Sequence, residues 1–290
     1  MITRFAKLCV LLTLACACGH TGKFEYTTID SVAEGRPLSY GVHLPPRWDE
    51  RTPLPMVVLL HGAGNDETSA DRRALVRRID RAIERGELRP FILVTPEGDF
   101  GFWVDWHDGS HRWRSWVIDE VIPDVRRRFP TIGGQEGLHL AGVSMGGGGG
   151  LQMWLTDPAR FASMTVLSAP ILDEADTRAF LDRFVPKGVL TRAFGPPNDS
   201  TGIDPYVVLD SREALHGGRL MFGAARLDHP GMRRSNKAFD RRLDQAKVPH
   251  RFIAFGGGHS WRTWSRVLPW TICMQLDPKC TMRPRGIAEK

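Results

Sequence analysis

Ser144, Asp228 and His259 are the residues whose types and surroundings could together perform nucleophilic chemistry in this chain of 290 residues. Ser144 sits in Gly142-Val143-Ser144-Met145-Gly146, after the apolar run Leu138-His139-Leu140-Ala141 and before a glycine-rich stretch with helical character. Where a strand turns sharply into a helix, the serine is held in a strained conformation that only glycine neighbours tolerate, and the strain exposes its hydroxyl. The turn also places the serine at the positive end of the following helix, with the Met145 amide free to donate to an oxyanion. A serine hydroxyl is nearly unreactive at neutral pH, so a neutral imidazole must accept its proton, and a carboxylate must fix the imidazole tautomer and stabilise the imidazolium. His259 follows the apolar run ending at Phe255, within Gly256-Gly257-Gly258-His259-Ser260-Trp261, and Asp228 lies in the loop after Leu220 to Ala224. Asp240 and Asp244 fall in a helical segment that points them elsewhere. A second oxyanion donor is expected from the Ala63 amide, after His61-Gly62, with His61 shaping that loop.

These groups need elements to hold them. Phe24 to Ile29 and Leu38 to Leu44 alternate as an opening antiparallel hairpin around Glu34-Gly35-Arg36-Pro37. Met56 to Leu60, Phe91 to Val94, Leu138 to Ala141, Met164 to Leu167, Leu220 to Gly223 and Arg251 to Phe255 read as strands, most of them continuously apolar as in a parallel sheet buried on both faces. Helical spacing over Asp71 to Arg85, Trp113 to Phe129, the stretch after Ser144, and about Arg233 to Ala246 supplies the intervening helices. Strand and helix alternate, so the fold class is α/β, a mostly parallel sheet with helices on both faces. Ligands bind such sheets at the carboxyl ends of the strands, where Ser144, Asp228 and His259 all fall. Ile171 to Gly218, centred on Gly195-Pro196-Pro197-Asn198-Asp199, has no good strand and reads as a cap-like insertion before the strand that carries the acid. The loop Gly101 to Trp106 is expected to flank the pocket, with Trp103 and Asp105 as substrate-binding candidates and a buried core role the alternative for Trp103 or Trp106.

Composition excludes several classes. With 42% hydrophobic and 25% charged residues the chain is an ordinary globular domain, and its arginine clusters sit among acids as a solvated surface, so no nucleic acid partner is expected. No C-x-x-C pair or H-E-x-x-H helix occurs, and no metal site is expected. Arg4 and Lys7 precede the apolar segment Leu8 to Ala17, which reads as an export signal over residues 1–17, cleaved before Cys18 or lipid-modified at Cys16 or Cys18. The expected location is the bacterial cell envelope, periplasmic or lipid-anchored to the membrane, or the medium. In that oxidising setting Cys273 and Cys280 can close a small loop in a tail spanning 271–290. Oligomeric state is not legible.

Leu59-Leu60-His61-Gly62, Gly142 to Gly147, Asp157-Pro158-x-x-Phe161 and Gly257-Gly258-His259-Ser260-Trp261 together resemble the esterase D/feruloyl esterase branch of the α/β hydrolases, which also holds mycolyltransferases and siderophore esterases. The resemblance runs from about Phe24 to Trp270, and the order Ser, Asp, His is that of α/β-hydrolase triads. It implies an α/β-hydrolase fold over 24–270 with nucleophile Ser144, base His259 and oxyanion donors Ala63 and Met145. Asp228 is implied less firmly, lying five residues after Gly223 where the family's acid usually lies about three after its glycine. The implied activity is a serine carboxylester hydrolase that forms an acyl-enzyme on a small or polymer-attached ester, without a cofactor. The alternatives are an acyltransferase, a serine peptidase or a non-catalytic envelope binding lipoprotein. Gly146 to Gly150 departs from the family by running unbroken; each extra glycine costs about 1 kcal/mol of helix propensity relative to alanine, which close packing or a wide pocket would offset.

Overall fold

Runs that are apolar at every position must be covered on both sides, and the strands they form lie at the centre of a nine-stranded sheet. The computed structural model describes residues 21–197, 204–210, 218–282 and 286–289. The segment 1–17 and the central part of the 171–218 insertion, including Asn198 and Asp199, lie outside the described residues. The strands are β1 (Lys23–Ser31), β2 (Arg36–Leu44), β3 (Met56–Leu60), β4 (Ile92–Pro96), β5 (Leu138–Val143), β6 (Ser163–Leu167), β7 (Arg219–Ala225), β8 (His250–Phe255) and β9 (Ala288–Glu289). They are ordered β1-β2-β4-β3-β5-β6-β7-β8-β9. The hairpin β1/β2 joins β4 antiparallel, the strands from β4 to β8 are parallel, and β9 closes the far edge antiparallel to β8.

Alternate residues of each strand feed two separate cores. Val58, Leu60, Leu140, Met164, Val166 and Phe222 face one side, and Val57, Leu59, Ala141, Val143, Leu167 and Ile253 face the other. The helices are α1 (Ser69–Arg72), α2 (Leu75–Glu84), α3 (Trp113–Ser115), α4 (Ile122–Arg128), α5 (Met145–Thr156), α6 (Glu174–Leu181), α7 (Val189–Phe194), α8 (Pro205–Asp210), α9 (Pro230–Gln245) and α10 (Trp261–Leu276). The first core is closed by α4, α5 and α9 through residues such as Val125, Trp154 and Phe239, and the second by α2 and α10 through Ile79 and Leu268. None of the described helices is long and apolar enough to cross a membrane.

Two helices expected to be continuous are broken. Ala74 takes a left-handed conformation at φ 65° and separates α1 from α2. Between α3 and α4 the chain widens into a π-helical stretch, Trp116–Val121, which ends two residues before Pro123, a residue with no N–H to continue an α-helical ladder. In the insertion, α6, α7 and α8 are short helices. Cys273 and Cys280 form a disulfide at a Cα separation of 5.7 Å.

Candidate active site

The strand-to-helix turn after β5 holds Ser144 at φ 54° and ψ −122°, a region that L-residues seldom occupy. Its neighbours must be small for a physical reason. A Cβ on Gly142 would lie 2.1 Å from the Gly146 carbonyl oxygen, and one on Gly146 would lie 2.2 Å from that of Leu60. The strained turn is pinned by the Ser144 amide, which donates to the Leu167 carbonyl at 2.9 Å.

Residues distant in sequence converge on this hydroxyl. His259 Nε2 lies 2.9 Å from Ser144 Oγ, and His259 Nδ1 lies 2.8 Å from Asp228 Oδ1. The Asp228 side chain is 0% exposed and the His259 ring 38% exposed, so the acid is sealed in while the base faces solvent. The other Asp228 oxygen accepts from Ser168 Oγ at 2.6 Å and from the Ala225 amide at 2.8 Å. Burial opposes ionisation of Asp228, but its hydrogen bonds from His259, Ser168 and Ala225 outweigh burial and hold the carboxyl below its ordinary value. With both carboxylate oxygens engaged, the acid keeps His259 in the tautomer that leaves Nε2 free to accept. The Trp264 ring meets the imidazole nearly at right angles, at a centroid distance of 4.9 Å.

A Cβ on Gly62 would sit 3.0 Å from Ser144 Cβ and 3.6 Å from its Oγ. The loop that carries the exposed Ala63 therefore passes directly beside the nucleophile. His61 is buried, and burial pushes its pKa down, so the neutral ring donates from Nδ1 to the Gly62 carbonyl at 2.9 Å.

One expectation about the 101–106 loop is corrected. Trp103 is 0% exposed; its indole donates to the His61 carbonyl at 3.1 Å and its ring meets that of His61, so it supports the loop beneath the site and offers no surface to a substrate. Asp105 accepts from the Ser115 amide at 2.9 Å and hydroxyl at 2.8 Å, which commits both oxygens to the start of the helical segment. Phe102 and Val104 of the same loop line an apolar cleft with Met145, Gly148, Leu181 and Phe194, about 570 Å³ counting space open to solvent. The insertion forms its outer wall, docked through the Phe102 and Phe194 rings at 5.1 Å and the Arg192 to Asp108 ion pair at 2.7 Å.

Ser168 was not singled out from sequence, although it directly follows β6 at the carboxyl edge of the sheet, where functional side chains concentrate. A second serine and histidine contact, Ser163 to His139 at 2.9 Å, is sealed between β5 and β6. Burial pushes His139 down to about 4, and the residue is buried. Asp240, Asp244 and His250 gather their ligand-type atoms within 4.8 Å, at the opposite end of β8 from His259 and away from the reacting groups.

Residues 31–214 match the family described as putative esterase. The chain belongs to that family. The match takes in Ala63, Ser144 and Met145 and stops short of Asp228 and His259. Over 156 residues, 51% of the chain, it is 29% identical to an endo-1,4-β-xylanase/feruloyl esterase of Xylanibacter ruminicola, of which that covers 22%. Over 232 residues, 72% of the chain, it is 25% identical to an esterase of Mycobacterium tuberculosis, covering 49% of it. The chain thus spans half or less of these relatives' length. Among solved structures it resembles a fluorophosphonate-binding serine hydrolase of Staphylococcus aureus, with TM-score 0.76 and 23% identity over 88% of this chain and 99% of the other. A ferulic acid esterase gives TM-score 0.75 and 20% identity over 89% and 98%. These likenesses show the α/β-hydrolase fold.

Proposed function

We propose that this protein is a serine carboxylester hydrolase whose reaction proceeds through an acyl-enzyme on Ser144. The observation that carries the reading is the unbroken line from Ser144 Oγ through His259 to the buried Asp228, at 2.9 Å and 2.8 Å, beside a strained serine. Ser144 Oγ attacks the ester carbonyl as His259 Nε2 takes its proton, and the oxyanion is held by the Ala63 and Met145 amides. Collapse breaks the bond to the alcohol, which leaves with the proton from His259. Water then gives a proton to His259 and attacks the acyl-serine, and the acid departs as Ser144 regains its hydrogen.

The cleft beside Met145 is lined by Phe102, Val104, Leu181 and Phe194, which suits an acyl group with an apolar or aromatic body. The relatives named for feruloyl ester hydrolysis favour the same class. The reading of 1–17 as an export signal and the Cys273 to Cys280 disulfide both fit an envelope or extracellular enzyme.

Fluorophosphonate labelling and hydrolysis of p-nitrophenyl esters of graded chain length test the reading. The wild-type chain should label and turn over, and Ser144→Ala should lose labelling and about 10⁴–10⁶ in kcat. Labelling that persists in Ser144→Ala, or a folded wild-type chain inert to every ester, sinks it.

A further inference from the structure

A trans peptide is planar, so its C=O and N–H point in opposite directions, and fixing the oxygen aims the hydrogen. The peptide joining Gly62 to Ala63 carries the Gly62 carbonyl at one end and the Ala63 N–H, the second oxyanion donor of the proposed reaction, at the other. Three donors hold that carbonyl: His61 Nδ1 at 2.9 Å, the Asn65 amide nitrogen at 3.2 Å and Asn65 Nδ2 at 3.2 Å. Asn65 Nδ2 also donates to the Ala63 carbonyl at 3.0 Å, so one side chain grips the peptides on both sides of Ala63.

Asn65 is itself held. Its Oδ1 accepts from Trp261 Nε1 at 2.8 Å. An indole can only donate and backbone carbonyls can only accept, so the orientation of the Asn65 amide is dictated by its partners. Trp261 is buried at the first turn of α10, two residues beyond His259. The loop that presents the base and the loop that presents the oxyanion donor are therefore tied through one amide. Hydrogen bonds to a peptide carbonyl also polarise that peptide, which makes its N–H a better donor.

We propose that Asn65 is a positioning residue, anchored by Trp261, that sets the direction of the Ala63 N–H by clamping the Gly62 carbonyl. The proposal rests on the hydrolase reading above and adds a residue that contacts no substrate atom. It predicts a cost in the transition state and not in substrate binding, because the oxyanion exists only after attack.

The test compares Asn65→Asp, Asn65→Ala, Trp261→Phe and the double variant Asn65→Ala/Trp261→Phe, with folding checked by thermal melting. Asn65→Asp keeps an acceptor for Trp261 but has no donor for the two carbonyls, which separates clamping from loop packing. Both Asn65 variants should lower kcat by about tenfold to a hundredfold with KM changed less than about twofold, since a full donor is worth about 10²–10³. Affinity for a trifluoromethyl ketone analogue should fall by the same factor as kcat/KM. Trp261→Phe should show a smaller loss, and the double variant should be no worse than Asn65→Ala alone. Folded variants with wild-type kcat, a loss confined to KM, unchanged analogue affinity or additive losses each overturn the proposal. A wild-type chain that hydrolyses no ester overturns the hydrolase reading first, and this proposal with it.

Discussion

Ser168 hands its hydroxyl hydrogen to the carboxylate that orients His259, so its loss is felt through Asp228. Asp228 is held below the ordinary carboxyl value in the folded chain by hydrogen bonds that overcome burial. An acid whose folded value is depressed adds stability that is fully present above its unfolded value, about 3.9, and is lost as pH falls through the folded value. Ser168→Ala removes one of those bonds, so it should cost about 1.5–3 kcal/mol at neutral pH, and the deficit should shrink as pH drops below about 4. Denaturant melts of both proteins at pH 7 and pH 3 check this, and an equal deficit at both values refutes it. At this scale the sequence was informative wherever a residue's role is announced by its neighbours. Ser144 and His259 are flanked by glycines that make room for them, whereas Ser168 is bracketed by Leu167 and Ala169, and its partner is 60 positions away. The error at Trp103 has the opposite cause: an indole satisfied by one carbonyl is as much at home in a core as beside a ligand.

The run Gly146 to Gly150 opens the α5 helix, and the sequence left close packing and a wide pocket as its two explanations. The structure divides them by position. A Cβ on Gly149 would meet the Phe102 carbonyl at 2.2 Å and Trp103 Cβ at 2.5 Å, and one on Gly147 would meet Ala169 Cβ at 2.9 Å. A Cβ on Gly148 would meet nothing within 4 Å, and Gly148 borders the cleft. Gly148→Ala should therefore raise stability by about 1 kcal/mol through helix propensity, while Gly149→Ala should lower it by more than that because the backbone of another segment must shift. Thermal melts of the two variants decide the matter, and a destabilised Gly148→Ala would contradict the assigned surroundings. Strands were the most legible elements because their apolar runs face two cores at once. Breaks within helices were not: Ala74 at φ 65° has no local marker, and the π-helical stretch before Pro123 reads in sequence as one continuous amphipathic pattern.

The whole molecule sets five parallel connections on one sheet so that every reacting group emerges at the same edge. That much was legible from strand and helix alternation, and the docking of the insertion onto the 100–108 segment was not, because it depends on side chains such as Phe194 and Arg192 that carry no periodic signal. The disulfide joins Cys273 of α10 to Cys280, ahead in the chain of β9, which pairs with β8. Closing a loop of about eight residues lowers unfolded-chain entropy by an amount worth about 2.5 kcal/mol, so a reducing agent should lower the melting temperature of the wild-type chain and leave Cys280→Ser unmoved. A wild-type melting curve indifferent to reductant would show that the bridge contributes nothing.

Ala63, Ser144 and Met145 precede the insertion, and Asp228 and His259 follow it. Neither stretch can carry out half of the reaction, since a hydroxyl with no base and a base with no hydroxyl are both idle. The two are brought into register by the ladder that pairs β6 with β7, in which Leu167 sits opposite Gly223. The alignment of Ser144 with Asp228 and His259 thus rests on that seam, although none of the three lies in it.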